Sequence, residues 1–371
     1  MKIGITCHTS AGGSGILATE LGIALANRGY EIHFVTTEIP FRLTGFHTNI
    51  TCHTVNVAAY PLFQNPPAAL ALAAKISEVA VEYDIDLWHA HYAIPNAACA
   101  IMARGMLPKP ERFKIITTLH GTDITLVGAD PSFYRITQYA MERSDIVTAV
   151  SDWLSRETER EFELERPVRT IYNFLDEDKF PPKSHERCTL ADDNEKIVMH
   201  VSNFRPVKRV TDVVRAFKKI REKVNAKLIM VGDGPERMSA VGVAKQLGIS
   251  DDIKYLGIHE NIESILPCAD LIFQPSEHES FGLTPLEAMA CEVPVLGTRS
   301  GGITEVVEHG VTGYLTEVGD IDAMAKHAIE ILTDTGIAKT MGLKGKETAM
   351  AKFPQSKIIP QYEALYTELL G

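Results

Sequence analysis

Cysteine is sparse in this 371-residue chain: Cys7, Cys52, Cys99, Cys188, Cys268 and Cys291 lie scattered, with no C-x-x-C pair and no Cys/His cluster at zinc spacing. That pattern excludes an ordinary structural zinc site, and the cysteines in apolar segments read as small buried hydrophobes. No window of roughly 18 uncharged apolar residues occurs, so no membrane-spanning helix is expected. The opening MKIGITCHTS lacks the basic stretch and long apolar run of a secretory signal, and a cytoplasmic protein is expected. Positive charge is in deficit: 37 basic against 48 acidic residues give a net charge of −11, which argues against a general nucleic-acid binder or a protein held on anionic lipid. Neither G-x-G-x-x-G nor the Walker pattern is present, which ranks an NAD-dependent oxidoreductase last. Low-complexity tracts and sequence repeats are also missing.

What is present is material for a large core. Hydrophobic residues make up 45% and charged residues 23%, the balance of a globular chain. The length fits two domains of about 150–200 residues. In the first half, strands are expected at Lys2–Cys7, Glu31–Thr36, Leu87–Ala90, Ile115–Leu119 and Ile146–Ala149, with helices at Ile16–Arg28 and Lys75–Glu82. A second series follows: strands at Ile197–Val201, Ala226–Val231, Lys254–Leu256, Leu271–Gln274 and Val293–Gly297, and a helix at Val210–Lys223. This alternation predicts an α/β protein of two doubly wound parallel-sheet domains, facing one another across a cleft. The polar stretch Glu177–Asn194, with Pro181-Pro182, reads as the connection, and Pro354–Leu370 reads as a closing helix.

The most informative segment is SEHESFGLTPLEAMACEVPVLGTRSGGITEVV, Ser276 to Val307. Glu279 and Glu287 stand eight positions apart across a strand-loop-helix junction that contains Ser280, Phe281 and Gly282. Carboxylates accept hydrogen bonds from sugar hydroxyls, and free N–H groups at a helix start favour phosphate oxygens. The loop Ala11-Gly12-Gly13-Ser14-Gly15 opens the first helix and reads as either an anion site or a tight turn. Asp84-Ile85-Asp86 has D-x-D spacing but runs straight into a strand, so no metal site is expected.

The string from Ser276 resembles the E-x7-E signature of retaining glycosyltransferases of family 4, which have the GT-B fold. The match continues through Ala288, Met289, Ala290, Pro294, Gly301, Gly302, Glu305 and Gly313, and the resemblance covers nearly the whole chain. It implies an N-terminal acceptor domain, 1–170, a C-terminal nucleotide-sugar domain, 171–353, and a final helix, 354–371, packing back on the first. It also implies catalytic roles for His120, Arg205, Lys208 and Glu279, the last holding sugar hydroxyls. Donor contacts are expected from Gly13, Gly232, Ser280, Phe281, Gly282, Leu283 and Glu287, the last on the ribose. Family members carry an Arg and a Lys spaced R-x4-K after the first strand of the second domain. Here the Arg position is Asn203, and Lys208 is assigned to the phosphates. Arg205 either joins it there or binds an acidic acceptor, and Arg209, in place of a common Gly, reads as a surface charge. Gly232-Asp233-Gly234-Pro235 resembles the family's supporting turn, with the base expected near Gly257–Glu260.

Within the family, GITCHTSAGGSGILATELG, IHFVTTEIPFRL, HAHYAIPNA, TTLHGTDIT, TIYNF and HVSNFRPVKRV are similar to a subgroup acting in bacillithiol biosynthesis. That subgroup transfers N-acetylglucosamine from UDP-GlcNAc to the hydroxyl of L-malate, and shares Asn203. The resemblance implies these two small-molecule substrates, no cofactor, no metal, no nucleic-acid partner and no membrane partner, and makes a homodimer unsurprising. A small dianion calls for N–H and cationic donors, and the acceptor candidates are Ser14, Gly15, Tyr92, Thr122, Asn173 and Arg205. Of His89 and His91, one is expected in the core, leaving His91-Tyr92 facing the cleft, while Asp123 caps or orients its loop. The alternatives are a glycolipid or polysaccharide acceptor, a UDP-GlcNAc epimerase, or an inactive nucleotide-binding module.

Overall fold

The computed structural model describes residues 1–10, 12–57, 65–109, 112–181 and 189–371. The chain divides into two units, Met1–Asn173 with Ser356–Gly371, and Phe174–Gln355. In the first, β1 (Lys2–Thr6), β2 (Glu31–Thr36), β3 (Ile50–Thr54), β4 (Leu87–His91), β5 (Lys114–Leu119), β6 (Ile146–Ala149) and β7 (Arg169–Thr170) form one sheet in the order β3-β2-β1-β4-β5-β6-β7. In the second, β8 (Lys196–Val201), β9 (Ala226–Val231), β10 (Ile253–Gly257), β11 (Leu271–Gln274), β12 (Val295–Thr298) and β13 (Gly313–Thr316) follow the order β10-β9-β8-β11-β12-β13. Every neighbouring pair of these strands is parallel. Both sheets change winding direction between their first and fourth strands, so the carboxyl ends of β1, β4, β8 and β11 are the expected ligand edges.

The strands form because they are apolar on both faces, as a sheet covered twice requires. All of β4 is buried, and Trp88, its second residue, has no exposed surface. It fits because β1 carries Gly4 opposite: a Cβ there would lie 2.4 Å from the indole. Truncating Trp88 to Ala would leave a cavity and cost about 3–5 kcal/mol. In the second unit, helix Val210–Arg221 buries Val210, Val213, Val214, Phe217 and Ile220, one stripe at helical spacing, against the sheet. Lys218, Lys219 and Arg221 occupy its last turn, where cations complement the helix dipole.

Several expectations shift. The first helix begins at Gly13, three residues before Ile16, because Gly12 is its N-cap and the glycines form its first turn. The helix expected over Lys75–Glu82 spans Ala68–Glu82, starting after Pro67. Strands β3, β7 and β13 were not read from the sequence. Glu177–Asn194 does not join the units: the crossings fall at Asn173/Phe174 and Gln355/Ser356, and that stretch lies within the second unit, its residues 182–188 outside the described ones. The two crossings are tied together by the Leu175 N–H to the Phe353 carbonyl, 3.1 Å, and the Gln355 N–H to the Leu175 carbonyl, 2.8 Å.

The final helix, Gln355–Leu370, buries Ile358, Ile359, Tyr362, Leu365 and Tyr366, and residues 356–371 belong to the first unit. Cys7, Cys99 and Cys291 are buried and free, as their apolar contexts suggested. Cys268, by contrast, is disulfide-bonded, and Cys188 lies outside the described residues. Among the described residues no helix is long and apolar enough to cross a membrane, and no group of three or more His, Cys, Asp or Glu could hold a metal ion.

Candidate active site

Two clusters form, one at the carboxyl edge of each sheet. In the first unit, β4 ends at His91 and β5 at Leu119, so Tyr92 and His120 leave adjacent strands side by side. Their rings stack at 5.4 Å with an interplanar angle of 16°, and His8, just beyond β1, meets Tyr92 edge-on at 4.6 Å. Tyr92 has φ 85°, a left-handed backbone that costs a non-glycine residue about 1–3 kcal/mol and gathers at functional sites. Asp123, almost fully buried, holds both loops: Oδ1 accepts the N–H of His120 at 3.1 Å and of Gly121 at 2.8 Å, and Oδ2 accepts the N–H of Ala93 at 3.0 Å. Burial pushes its carboxyl up to about 6 against the opposing pull of those three N–H groups. Thr122 starts the short helix Thr122–Thr125 and is half-buried.

The glycine loop joins this cluster through His8. A Cβ on Gly15 would lie 2.3 Å from the His8 carbonyl oxygen, so only glycine lets the first helix start there. Gly13, Ser14 and Gly15 occupy the first helical turn, whose N–H groups have no intrahelical acceptor and point at any anion placed before the helix. Asn173 is buried at the end of the first unit.

His89 and His91 require a correction. Residues two apart in a strand share a face, so the expected split, one inward and one toward the cleft, does not occur. Both are buried, and their rings stack at 4.4 Å. His89 bonds Tyr366 Oη at 2.8 Å and Thr118 Oγ1 at 2.7 Å, while His91 Nδ1 lies 3.0 Å from His120 Nε2. Burial first, then neighbouring imidazoles, pushes all three pKa values down, His89 to about 3.

In the second unit, β8 runs into Ser202-Asn203-Phe204-Arg205 and the 3-10 turn Pro206–Lys208, and β11 runs into the loop before helix Leu283–Ala290. The Glu277 N–H donates to the Val207 carbonyl at 2.8 Å and ties the loops together. Lys208 Nζ then lies 2.7 Å from Glu279 Oε2, with both side chains mostly buried. Ser276 Oγ, at 3.1 Å, and Gln274 Nε2, at 3.4 Å, also donate to Oε2. All three bonds converge on one carboxylate oxygen. Gly301, at φ 81°, fixes the backbone beneath: its Cβ would lie 2.2 Å from the Glu279 carbonyl oxygen, which accepts the Gly302 N–H at 2.7 Å.

Gly282, at φ 101°, is the N-cap of helix Leu283–Ala290, and Pro285 sits in its first turn, where no N–H partner is needed. Phe281 is buried edge-on against Phe353, Ser280 and Leu283 are half-buried, and Glu287 is buried on the same helix. Gly232 and Gly234 have φ 116° and 158°, and Cβ atoms there would lie 1.8 Å and 2.1 Å from the carbonyl oxygens of Ser202 and Asn203. The turn therefore braces the loop carrying Lys208. The Gly232 N–H also donates to the Gly257 carbonyl at 2.7 Å, beside the exposed Ile258.

Arg205 is exposed, and its side chain has no ion pair or hydrogen bond among the described residues. Arg209 is not a plain surface charge. Its φ of 49° is the left-handed conformation that makes glycine common there, and Nε bonds Asp212 Oδ2 at 2.6 Å. Sequence reasoning missed His200, Gln274 and Ser276. His200 is buried, with Nδ1 2.8 Å from the Phe273 carbonyl oxygen and Nε2 2.8 Å from Ser202 Oγ, and burial pushes its pKa down to about 4. The signal was a polar residue inside each of two apolar strands, His200 in β8 and Gln274 in β11.

The comparisons with known proteins agree with this geometry. Residues 11–179 match the family described as Glycosyltransferase Family 4, and residues 183–348 match Glycosyl transferases group 1. The chain is 48% identical to the N-acetyl-alpha-D-glucosaminyl L-malate synthase of Bacillus anthracis, over all of this chain and 97% of that one. Sucrose-phosphate synthase from Thermosynechococcus elongatus superposes with a TM-score of 0.84 at 25% identity, covering 100% of this chain and 99% of the other. Anabaena HepE, in complex with UDP and glucose, gives 0.84 at 22% identity over 99% of each chain. With two parallel sheets of one winding order, glycine turns under both edges and a Lys–Glu pair at the start of the second site, the chain belongs to the family 4 glycosyltransferases of GT-B fold.

Proposed function

We propose that this glycosyltransferase moves N-acetylglucosamine from UDP-N-acetylglucosamine to the hydroxyl of L-malate with retention of the α configuration, giving N-acetylglucosaminyl-malate for bacillithiol biosynthesis in the cytoplasm. The observation that carries the reading is the 48% identity, along the whole chain, to a protein named for that product. The second-unit cluster supports the donor half: Lys208 is a mostly buried cation, and Phe281, Gly282 and Leu283 surround a helix start.

In this reading Lys208 and Arg205, with the N–H groups of Phe281 and Gly282, meet the diphosphate. Glu279 and His120 hold the sugar, and Glu287 holds the ribose. The acceptor lies against Ser14, Gly15, Tyr92, Thr122 and Asn173. The bond from the sugar C1 to the β-phosphate oxygen breaks with its electron pair passing to that oxygen. The malate hydroxyl oxygen bonds C1 on the same face, and its proton passes to the departing phosphate. Glu279 therefore need not act as the nucleophile of a retaining glycosidase. The leaving charge is met by Lys208 and Arg205, so a divalent metal is not required.

The pair between Lys208 and Glu279 gives donor binding a defined effect. A diphosphate competes with Glu279 for Lys208, and a released Glu279 turns to the sugar hydroxyls. The test is UDP release from UDP-N-acetylglucosamine with and without L-malate, with and without EDTA, alongside product mass. Malate-dependent, EDTA-resistant release with the mass of a glucosaminyl-malate is expected. Release without malate dependence would remove the acceptor assignment and turn the search to glycolipids.

A further inference from the structure

His91, the last residue of β4, is buried, yet it touches the one histidine assigned to the sugar. The residue is 2% exposed, its ring stacked on His89 at 4.4 Å and tilted against His120 at 5.2 Å. One nitrogen, Nδ1, lies 3.0 Å from His120 Nε2. The other, Nε2, is buried with no hydrogen-bond partner among the described residues. Two neutral imidazoles sharing one hydrogen bond have two arrangements. If His120 donated, His91 would carry its proton on Nε2, leaving a buried N–H with no acceptor. If His91 donates, Nε2 holds only a bare lone pair. An orphaned buried N–H is the costlier of the two.

From this geometry we infer that His91 is a positioning residue which locks His120 in the Nδ1–H tautomer, so that His120 presents a hydrogen-bond donor, and no basic nitrogen, to its ligand. The surroundings keep the pair in this form. Asp123 bonds the backbone N–H of His120 and Gly121 but reaches neither ring, and burial and adjacent imidazoles disfavour protonation of either histidine. Tyr92 stacks on the His120 ring and holds its plane. The chemical consequence is a restriction on the reaction. With Nε2 occupied as an acceptor and Nδ1 already protonated, His120 cannot take the proton of an acceptor hydroxyl. It can only donate to an oxygen, such as a sugar hydroxyl or a phosphate. This inference deepens the proposed function and rests on it for the ligand, whereas the tautomer itself is a property of the free protein.

The test is long-range 1H–15N correlation of the full-length protein labelled with 15N-histidine, with His120→Gln and His91→Phe used to assign the two signals. The expected result is a neutral His120 protonated on Nδ1. In His91→Phe nothing bonds Nε2, and the single tautomer gives way to a mixture of the Nδ1–H and Nε2–H forms. In His91→Asn, whose amide N–H lies where the imidazole Nδ1 lay, the Nδ1–H form returns. Turnover follows: kcat falls on the order of tenfold in His91→Phe, the effect of one lost hydrogen bond, and recovers in His91→Asn, with the malate KM unchanged throughout. An Nε2–H or doubly protonated His120 in the unaltered protein overturns the inference whatever the activity. An Nδ1–H His120 whose replacement by Gln leaves turnover intact upholds the inference and removes instead the contact assigned between His120 and the sugar.

Discussion

Lys208 Nζ and Glu279 Oε2 lie 2.7 Å apart, although 71 residues separate them in sequence. Neither loop builds this contact alone; the bond from the Glu277 N–H to the Val207 carbonyl brings the two loops into register first. A partly buried lysine with a carboxylate beside it is held ready for an anion, and the carboxylate is held ready for hydroxyls. Lys208→Ala should therefore reduce kcat by about 10²–10³-fold, the cost of losing a preorganised charge in the transition state. The double variant with Glu279→Gln should fall short of the sum of the two single effects, because the residues share a contact. Near-normal turnover of Lys208→Ala would remove it from the phosphate site.

Glu287 makes a different prediction. It is buried on a helix whose first turn faces the proposed diphosphate, and its assigned ligand is the ribose, which does not react. Glu287→Gln should raise the donor KM about tenfold with kcat little changed, the pattern of a contact made equally in the ground and transition states. Initial-rate kinetics over donor concentration decide it: an unchanged donor KM with a reduced kcat contradicts the ribose assignment.

His200 makes stability depend on pH. Its folded pKa, about 4, lies below the unfolded value of 6.5, so the unfolded chain binds the proton more tightly. Stability is then intact above 6.5 and is lost as pH falls through the window down to about 4. Between about pH 7 and about pH 5 this one imidazole accounts for about 2 kcal/mol. Asp123, raised from 3.8 to about 6, works in the opposite direction over part of that range. Urea denaturation at the two pH values should show His200→Gln losing less stability on acidification than the unaltered protein. Equal losses would clear His200.

Gly301 predicts a loss of activity from a residue with no side chain. A Cβ at φ 81° would sit 2.2 Å from the Glu279 carbonyl oxygen, and either the turn or the Glu279 loop must move. Gly301→Ala should lower stability by about 1–3 kcal/mol and lower kcat with it. A thermal midpoint and turnover both equal to those of the unaltered protein would show that the loop absorbs the methyl group.

Much of the fold was legible because alternation of apolar strands and helices is a strong signal in a buried parallel sheet. Strands β1, β2, β8, β9 and β11 lie where their aliphatic runs predicted. Strand β7 is two residues long, β3 is the partly exposed ITCHT, and β13 begins with glycine, so none of these carries the same pattern. Glu279, Lys208 and His120 were legible as residue types in a family motif. That Lys208 pairs with Glu279, or His120 with His91, was not, because each pair is made by neighbouring strands from distant parts of the chain. His91 was misread for a local reason: a period of two places it on the same face as His89, beneath the site. The positive φ at Arg209 accounts for the glycine common at that position, and the bond to Asp212 engages the arginine that sequence alone could only label as charge.

The bond from His89 to Tyr366 spans 277 residues, and the whole second unit lies between its two ends. During synthesis every residue of that unit must leave the ribosome before the hydroxyl beneath the stacked histidines can arrive. The N-terminal unit is thus the first to begin and cannot be the first to finish. Until the closing helix docks, His89 and Thr118 lack the tyrosine that completes their network, and the assembly of that floor is a late event in the life of each new chain.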